Sequence, residues 1–217
     1  MRLSKFTHAC VRIEDGNRRL LIDPGIWTEP AAFEGVTDVL VTHEHDDHID
    51  LERIGALLID RELRIFAPSA VRELAVREGA SGVADAITPV APGDTFTADG
   101  FAVTAVGGEH AEVYEGLPGC ANVGYLVEGV YHPGDSFFVP AQPVTTLLVP
   151  AAAPWFKLSE ALDFVRAVAP ERAFPIHDRM LSTDIGFDYF DAWMREKGNT
   201  DYDRIPNGEG VVFQVLG

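Results

Sequence analysis

Hydrophobic residues follow the spacing of strands in some segments of the chain and the spacing of helices in others. Alternating or continuous apolar runs predict strands at residues 5–14, 18–23, 36–42, 95–106, 122–128 and 146–149. Apolar residues at helical spacing predict helices at residues 50–59, 69–78, 158–169 and 187–196, with Ser69 as an N-cap. Because strands and helices alternate, the pattern predicts an α/β fold with helices packed on sheets, and it leaves the topology open.

The densest group of polar side chains directly follows one of these strands. Residues 43–48 read His-Glu-His-Asp-Asp-His and contain three of the seven histidines in the chain. Imidazole nitrogens and carboxylate oxygens bind Zn²⁺, and they also suit iron and manganese. We therefore predict a metal site in which His43 and His45 face one ion while Asp47 and His48 face a neighbouring ion. The alternative is a polar loop that contains histidine by chance.

A site for two ions needs further ligands, and single polar residues follow three other apolar segments. They are His110, Asp135 and His177, which come after residues 101–106, 125–131 and 172–176. Taken one at a time, they could equally be a loop histidine, a turn aspartate and a capping residue. Taken together with residues 43–48, they predict one centre built at several strand ends. The two thiols, Cys10 and Cys120, lie outside these positions, so a structural zinc site rich in cysteine is not expected.

The order of these residues resembles that of the metallo-β-lactamase superfamily: an HxHxDH motif, a lone histidine, an aspartate after glycine and a last histidine. Residues 5–10, 21–24, 122–125, 131–136 and 175–177 further resemble the ascorbate-6-phosphate lactonase-like branch of metal-dependent hydrolases. The chain departs from that branch at Pro133, Ser136, Asp178 and Arg179, so we do not carry over its specific activity. The resemblance implies a four-layer αββα metallo-β-lactamase sandwich with metals at one edge.

The resemblance also implies a set of ligands and a reaction. The implied ligands are His43, His45 and His110 on one divalent ion, Asp47, His48 and His177 on the second, and Asp135 between them. This arrangement leaves a position for solvent, as catalytic metal sites do. The expected chemistry is hydrolysis by a hydroxide that bridges the two metals and is held by Asp47 and Asp135. Zinc is the favoured metal, and manganese and iron are the alternatives.

Three further positions have two interpretations each. His8 resembles a family position near the metal cleft, where it would contact substrate, or it packs beside the first strand. Asp23 stands at a strand end before Pro24, where it either orients a ligand histidine or forms a turn. Trp155 is predicted to pack in the core together with Phe156, and a wall over the site is the alternative for the pair.

Composition limits the partners of the protein. The 217 residues include 17 Lys and Arg against 34 Asp and Glu, which gives a net charge of −17. Because this charge repels a phosphate backbone, we predict a small-molecule substrate and no nucleic-acid partner. The sequence predicts no membrane span, secretion signal or linker, so we expect one domain over residues 1–217 in the cytoplasm. The oligomeric state stays open.

The substrate class is less constrained than the metal site. The resemblance favours a small ester, lactone or phosphoester, and a phosphodiesterase for a small molecule or lipid head group is the alternative reaction. An alternative of another class is a domain that binds a metal or a partner without catalysis. The presence of all seven ligand positions favours an enzyme.

Overall fold

The computed structural model describes residues 1–115, 117, 119–180 and 184–213. Within them, the first strands are β1 (Arg2–Lys5), β2 (Val11–Asp15), β3 (Arg18–Ile22), β4 (Asp38–Leu40), β5 (Arg64–Ala67), β6 (Ile87–Pro89) and β7 (Thr95–Ala98). The remaining strands are β8 (Phe101–Glu109), β9 (Ala121–Val127), β10 (Val130–His132), β11 (Thr146–Pro150), β12 (Arg172–Ile176), β13 (Asp201–Tyr202) and β14 (Gly210–Val212). The helices are α1 (Leu51–Asp60), α2 (Ser69–Arg77), α3 (Ser81–Ala86), α4 (Leu158–Val168) and α5 (Asp184–Lys197), and a 3-10 helix spans Pro30–Phe33.

These strands form two seven-stranded sheets with related connectivity. The first sheet has the order β14-β1-β2-β3-β4-β5-β6, and the second has the order β13-β12-β11-β10-β9-β8-β7. In the first sheet β3, β4, β5 and β6 are parallel, and in the second β10, β11, β12 and β13 are parallel. The carboxyl ends of parallel strands lie at the same edge of a sheet, so the loops after β4, β10 and β12 leave from such edges.

Three apolar cores separate four layers. The core between the sheets includes Leu20 from the first sheet and Tyr125 from the second. A second core packs α1, α2 and α3 on the outer face of the first sheet, with Ile54 and Val39 among its members. A third core, which includes Phe164, packs α4 and α5 on the outer face of the second sheet. The predicted αββα sandwich is therefore confirmed.

Two segments predicted as single strands are each divided into two strands. Residues 6–10 separate β1 from β2, and His8 lies among them with a left-handed φ of 69°. Asp99 and Gly100, with φ of 43° and 78°, form the two-residue turn between β7 and β8. Positive φ at both central residues is the geometry that suits a hairpin, and Asp-Gly is a preferred sequence for it. The prediction of one continuous strand over 5–14 is therefore wrong, whereas 95–106 is extended as predicted and consists of two strands, the second beginning at Phe101.

The other predicted helices and strands lie where the apolar pattern places them, with bounds that differ by a few residues. Ser69 is the first residue of α2 and not its N-cap, because the extended Pro68 holds the cap position and no side chain caps the helix. The short elements β5, α3, β6, β13 and β14 were not predicted, since two to six residues show too little periodicity. Among the helices of the described residues, none combines the length and apolar character needed to cross a membrane.

One tyrosine joins the two sheets through its hydroxyl group. Tyr125 on β9 is fully buried, and its hydroxyl oxygen lies 2.9 Å from the Val41 carbonyl and 3.2 Å from the Phe66 carbonyl. We expect Tyr125→Phe to lower the free energy of unfolding by about 1–3 kcal/mol, because a buried carbonyl loses its donor. Urea denaturation measures this change. Tyr189→Phe is the control, since its exposed ring should change stability by less than about 0.5 kcal/mol.

Candidate metal centre

The structure brings the predicted site residues together at one edge of the sandwich. The loop of residues 43–48 follows β4, and the single residues His110, Asp135 and His177 follow β8, β10 and β12. The backbone at Gly25 lies directly against the loop of residues 43–48. Only glycine fits there, since a Cβ atom would lie 1.9 Å from the Asp47 carbonyl oxygen. Asp50 then ends the loop by accepting a hydrogen bond from the Arg53 amide as the N-cap of α1.

Two groups of possible ligand atoms form within this cluster. The first group is His43, His45, His110 and Asp135, and the second is His8, Asp47, His48 and His177. Within each group, one ligand atom per residue lies within 4.8 Å of all the others. The two groups match the predicted division into two sites, except that His8 joins the second group.

Asp135 faces both groups. Its carboxylate oxygens lie 3.1 Å from His48 Nε2, 3.1 Å from His177 Nε2 and 3.4 Å from His110 Nε2. None of these pairs has the angles of a hydrogen bond, and Asp135 Oδ1 and the three Nε2 atoms have no hydrogen-bond partner within the described residues. Leaving such buried atoms unpaired costs about 1–3 kcal/mol each. Converging, unpaired nitrogen and oxygen atoms are the arrangement that a bound divalent cation would satisfy, so the residues fit a metal.

The other ring nitrogens of these three histidines are held by the protein. Each Nδ1 pairs with an oxygen acceptor: Asp23 Oδ2 at 2.7 Å for His48, the Ala111 carbonyl at 2.6 Å for His110, and the Ala152 carbonyl at 2.5 Å for His177. A donated Nδ1–H directs Nε2 toward the centre. Histidines that bind metals commonly donate their second N–H in this way, because the contact fixes the orientation of the ring.

Asp23 makes the contact that the orienting interpretation requires. It is fully buried, and besides His48 it accepts hydrogen bonds from the Thr42 amide at 2.8 Å and the Thr42 hydroxyl at 2.7 Å. Its left-handed φ of 51° shows that it also forms the turn that follows β3. The two interpretations of Asp23 therefore apply together.

His8 is both packed and part of the cluster. Its Nδ1 accepts a hydrogen bond from the Arg179 amide at 3.2 Å, so Nε2 is the nitrogen that carries the proton in the neutral ring. Nε2 lies 3.0 Å from Asp47 Oδ2 and donates to it. The ring also packs edge-on against Trp27 at 4.9 Å between centroids. In this tautomer His8 holds Asp47 in place and leaves no lone pair for a cation.

Two contacts to Asp135 were not predicted. Asn122 accepts the Asp135 amide at 2.9 Å through Oδ1 and donates through Nδ2 to the Pro133 carbonyl at 2.8 Å, so it fixes the turn before the carboxylate. Trp155 is buried, as predicted for a core residue, but its indole N–H donates to Asp135 Oδ2 at 3.1 Å. A polar residue inside an apolar strand was the available signal for Asn122. Trp155 gave no signal in the sequence beyond its apolar character.

The buried carboxylates and histidines of the cluster shift the pKa values of one another. Burial would raise the pKa of Asp135, but the charge of His48 and contacts with His110 and His177 hold it well below its usual value. Burial would likewise lower the pKa of His177, but contacts with Asp135 and Asp47 raise it to about 9. In contrast, burial lowers the pKa of His43 well below its usual value. A cation can replace the histidine protons beside these carboxylates.

Comparisons with known proteins agree with this geometry. A family model described as Beta-lactamase superfamily domain matches residues 2–177. The protein Rv0786c of Mycobacterium tuberculosis is 38% identical over 222 residues, which cover 98% of this chain and 100% of the relative. A UPF0173 metal-dependent hydrolase of Chelativorans sp. (strain BNC1) is 32% identical over 160 residues, which cover 63% of each chain.

A solved structure supports the fold. Igni18, a metallo hydrolase from the hyperthermophilic archaeon Ignicoccus hospitalis, aligns with a TM-score of 0.74 at 18% identity and covers 98% of both chains. At that identity the likeness concerns the fold alone. Since the family model covers most of the sequence and the four-layer sandwich is the same, the chain belongs to the metallo-β-lactamase superfamily, as the order of its histidines and aspartates predicts.

Proposed function

We propose that the protein is a metal-dependent hydrolase that uses two divalent ions to cleave a small ester, lactone or phosphoester. The observation that carries this proposal is the position of Asp135, whose carboxylate faces unpaired histidine nitrogens of both groups at 3.1–3.4 Å. The proposal is also supported by the similarity to Igni18, which is a metallo hydrolase, and to the Chelativorans relative, which is a metal-dependent hydrolase.

The proposed ligands are those implied by the sequence resemblance. His43, His45 and His110 would hold one ion, Asp47, His48 and His177 would hold the other, and Asp135 would serve both. When bound, divalent ions supply a nucleophile at neutral pH by lowering the pKa of coordinated water toward about 7, and they polarise the oxygen of the scissile bond. Zinc is proposed first, with manganese or iron as alternatives, because imidazole and carboxylate suit all three.

The remaining polar residues of the centre position these ligands. His8 donates to Asp47, Asp23 accepts from His48, and Trp155 donates to Asp135. Each contact restrains a ring or a carboxylate before substrate arrives, and preorganised groups need no rearrangement during the reaction. We propose Asp47 and Asp135 as the catalytic carboxylates and His8, Asp23 and Trp155 as positioning residues.

The test is metal analysis followed by hydrolysis assays on the same sample. Protein purified without chelator should contain two divalent ions per chain, and it should hydrolyse at least one of a lactone, an aryl ester and a phosphodiester. Turnover should disappear with chelator and return with added metal. One ion or none after reconstitution, together with no turnover, would contradict the proposal and favour a binding role.

Asp23→Asn tests the positioning of His48. The substitution keeps the size of the side chain but removes the charge that faces His48 Nδ1 at 2.7 Å. We expect metal affinity to fall by about 10- to 100-fold, as is typical when the partner of a ligand histidine is lost. Competition with a chromophoric chelator measures the affinity. Asp38→Asn is the control, because Asp38 is also fully buried but pairs with Arg64 and should leave metal affinity unchanged.

A further inference from the structure

The space over the candidate metal centre has apolar walls. A cleft of about 300 Å³ opens on His45, Asp47, His110, Asp135 and His177. Its other walls are Trp27, Val113, Pro154, Trp155 and Met180. A volume of this order is at the small end of pockets that hold small molecules, and such pockets are mostly apolar with a few polar groups at the reacting end. Apart from Asp46, which is exposed at the edge of the cleft, the charged and imidazole groups of its lining are the candidate ligands themselves.

The apolar walls are accessible from solvent. Trp27 is 41% exposed, and Val113 and Met180 are each 50% exposed. Leu117 and Phe138, on loops that line neighbouring cavities beside His110, are exposed as well. Large apolar side chains grouped around one opening favour an apolar ligand, because binding it removes their surface from water.

The charge around the cleft is negative. A cavity of about 860 Å³ shares His45, His110 and Val113 with the cleft, and its walls include Glu44, Glu109 and Glu112. Every Lys and Arg of the chain lies among the described residues. No Lys or Arg side chain lines either cavity. Arg179 lies in sequence between the lining residues His177 and Met180, but its own side chain is exposed and is not part of the walls. A carboxylate or phosphate on the part of the substrate that lies away from the metals would therefore face carboxylate side chains and no Lys or Arg.

On the basis of the proposed hydrolase function, we infer that the part of the substrate that does not react is apolar and uncharged. The cleft supplies apolar contacts for that part, and the glutamates disfavour anionic analogues. Among small esters, lactones and phosphoesters, the substrate is therefore one whose non-reacting part carries neither a carboxylate nor a phosphate.

Matched esters test the inference in the metal-loaded protein. For 4-nitrophenyl acetate, butyrate and hexanoate, kcat/KM divided by the alkaline hydrolysis rate should rise by up to about fourfold per methylene. The value of kcat/KM for 4-nitrophenyl pentanoate should be at least about tenfold higher than that for the half-ester 4-nitrophenyl glutarate, in which a carboxylate replaces the terminal methyl group. An equal or greater kcat/KM for the glutarate would overturn the inference. If Arg179→Ala then lost this activity toward the glutarate, Arg179 would be shown to recognise an anion instead.

Trp27→Ser tests whether the apolar lining of the cleft contacts the substrate. It should flatten the dependence of kcat/KM on acyl length, because Trp27 contributes apolar surface to the cleft. Trp193→Ser is the matched control, since Trp193 is 42% exposed but lies on α5 outside the cleft. The chain-length dependence should be unchanged in that variant. If the dependence of kcat/KM on acyl length were unchanged in Trp27→Ser, Trp27 would not contact the acyl chain.

A binding measurement separates this inference from the proposed reaction. In the Trp193→Ser protein both remaining tryptophans line the cleft, so their fluorescence reports occupancy. In the chelator-treated form of this variant, where no cation can bind an anionic head group, we expect 2-octanone to change the fluorescence saturably and octane-1-sulfonate to bind at least about tenfold more weakly. Selective ketone binding without ester turnover would refute the hydrolase proposal while the apolar site stands. Turnover with equal or tighter sulfonate binding would overturn the inference and leave the hydrolase proposal intact.

Discussion

Replacing Asp135 by Asn is expected to lower kcat/KM for metal-dependent hydrolysis by at least about 100-fold and to reduce the bound metal below two ions per chain. The carboxylate faces histidine nitrogens of both ligand groups. An amide keeps the size of the side chain but removes its charge and one acceptor oxygen. Loss of the hydrogen-bond partner of a metal ligand lowers metal affinity or activity by about 10- to 100-fold. Loss of a ligand that serves both ions should lower them by at least as much.

Elemental analysis and kcat/KM measured on the same sample test this expectation. Asp191→Asn is the matched control, because Asp191 is 4% exposed against 3% for Asp135 and carries the same chemical change. Asp191 lies on α5 and accepts from Tyr202 and Arg204, so its variant should lose stability and keep its metal. An Asp135→Asn protein with two ions and full turnover would show that Asp135 is not the shared ligand.

The location of the candidate centre was predictable because its residues follow strand ends. Residues 43–48 follow β4, and Asp135 and His177 follow β10 and β12, two strands of one parallel set. Parallel strands end at a common edge, so polar residues placed just after each strand meet in space. The pattern of apolar segments followed by His or Asp therefore carried information about tertiary structure as well as about local structure.

The contacts that position the ligands were not predictable in the same way. Trp155 reaches Asp135 from a loop 20 residues away, and His8 reaches Asp47 across 39 residues. A hydrogen bond depends on distances of about 3 Å and on angles, which apolar periodicity does not determine. Trp155 also satisfied the pattern of a core residue, so its N–H donor gave no separate signal.

The division of two predicted strands shows a second limit. The turn at Asp99–Gly100 carried a local signal, since this dipeptide favours positive φ at both positions. The break between β1 and β2 at residues 6–10 carried no local sequence signal of comparable strength. There His8 adopts φ of 69°, and its contacts with Asp47 and Arg179 lie in the site. A non-glycine residue in this conformation is held by tertiary contacts, which explains why the local pattern predicted a continuous strand.

Removal of the metals is expected to lower the melting temperature by at least about 6–16 °C, which is the shift expected from the loss of one bound ion. A ligand present at 100 to 1,000 times its dissociation constant stabilises the folded state by about 3–4 kcal/mol. Each kcal/mol shifts the melting temperature by about 2–4 °C in a chain of this size. The structural reason is that His48, His110 and His177 present buried nitrogens without hydrogen-bond partners within the described residues, and bound cations would satisfy them.

Calorimetry before chelation, after chelation and after zinc is added back tests this expectation. In Asp135→Asn the shift caused by the chelator should be less than half as large, because the variant starts with less metal to lose. A full shift in that variant would place the stabilising ions away from Asp135. A metal-free protein with an unchanged melting temperature would mean that contacts such as Asp23 with Thr42 hold the centre by themselves. The metals would then contribute to the reaction without contributing to the stability of the fold.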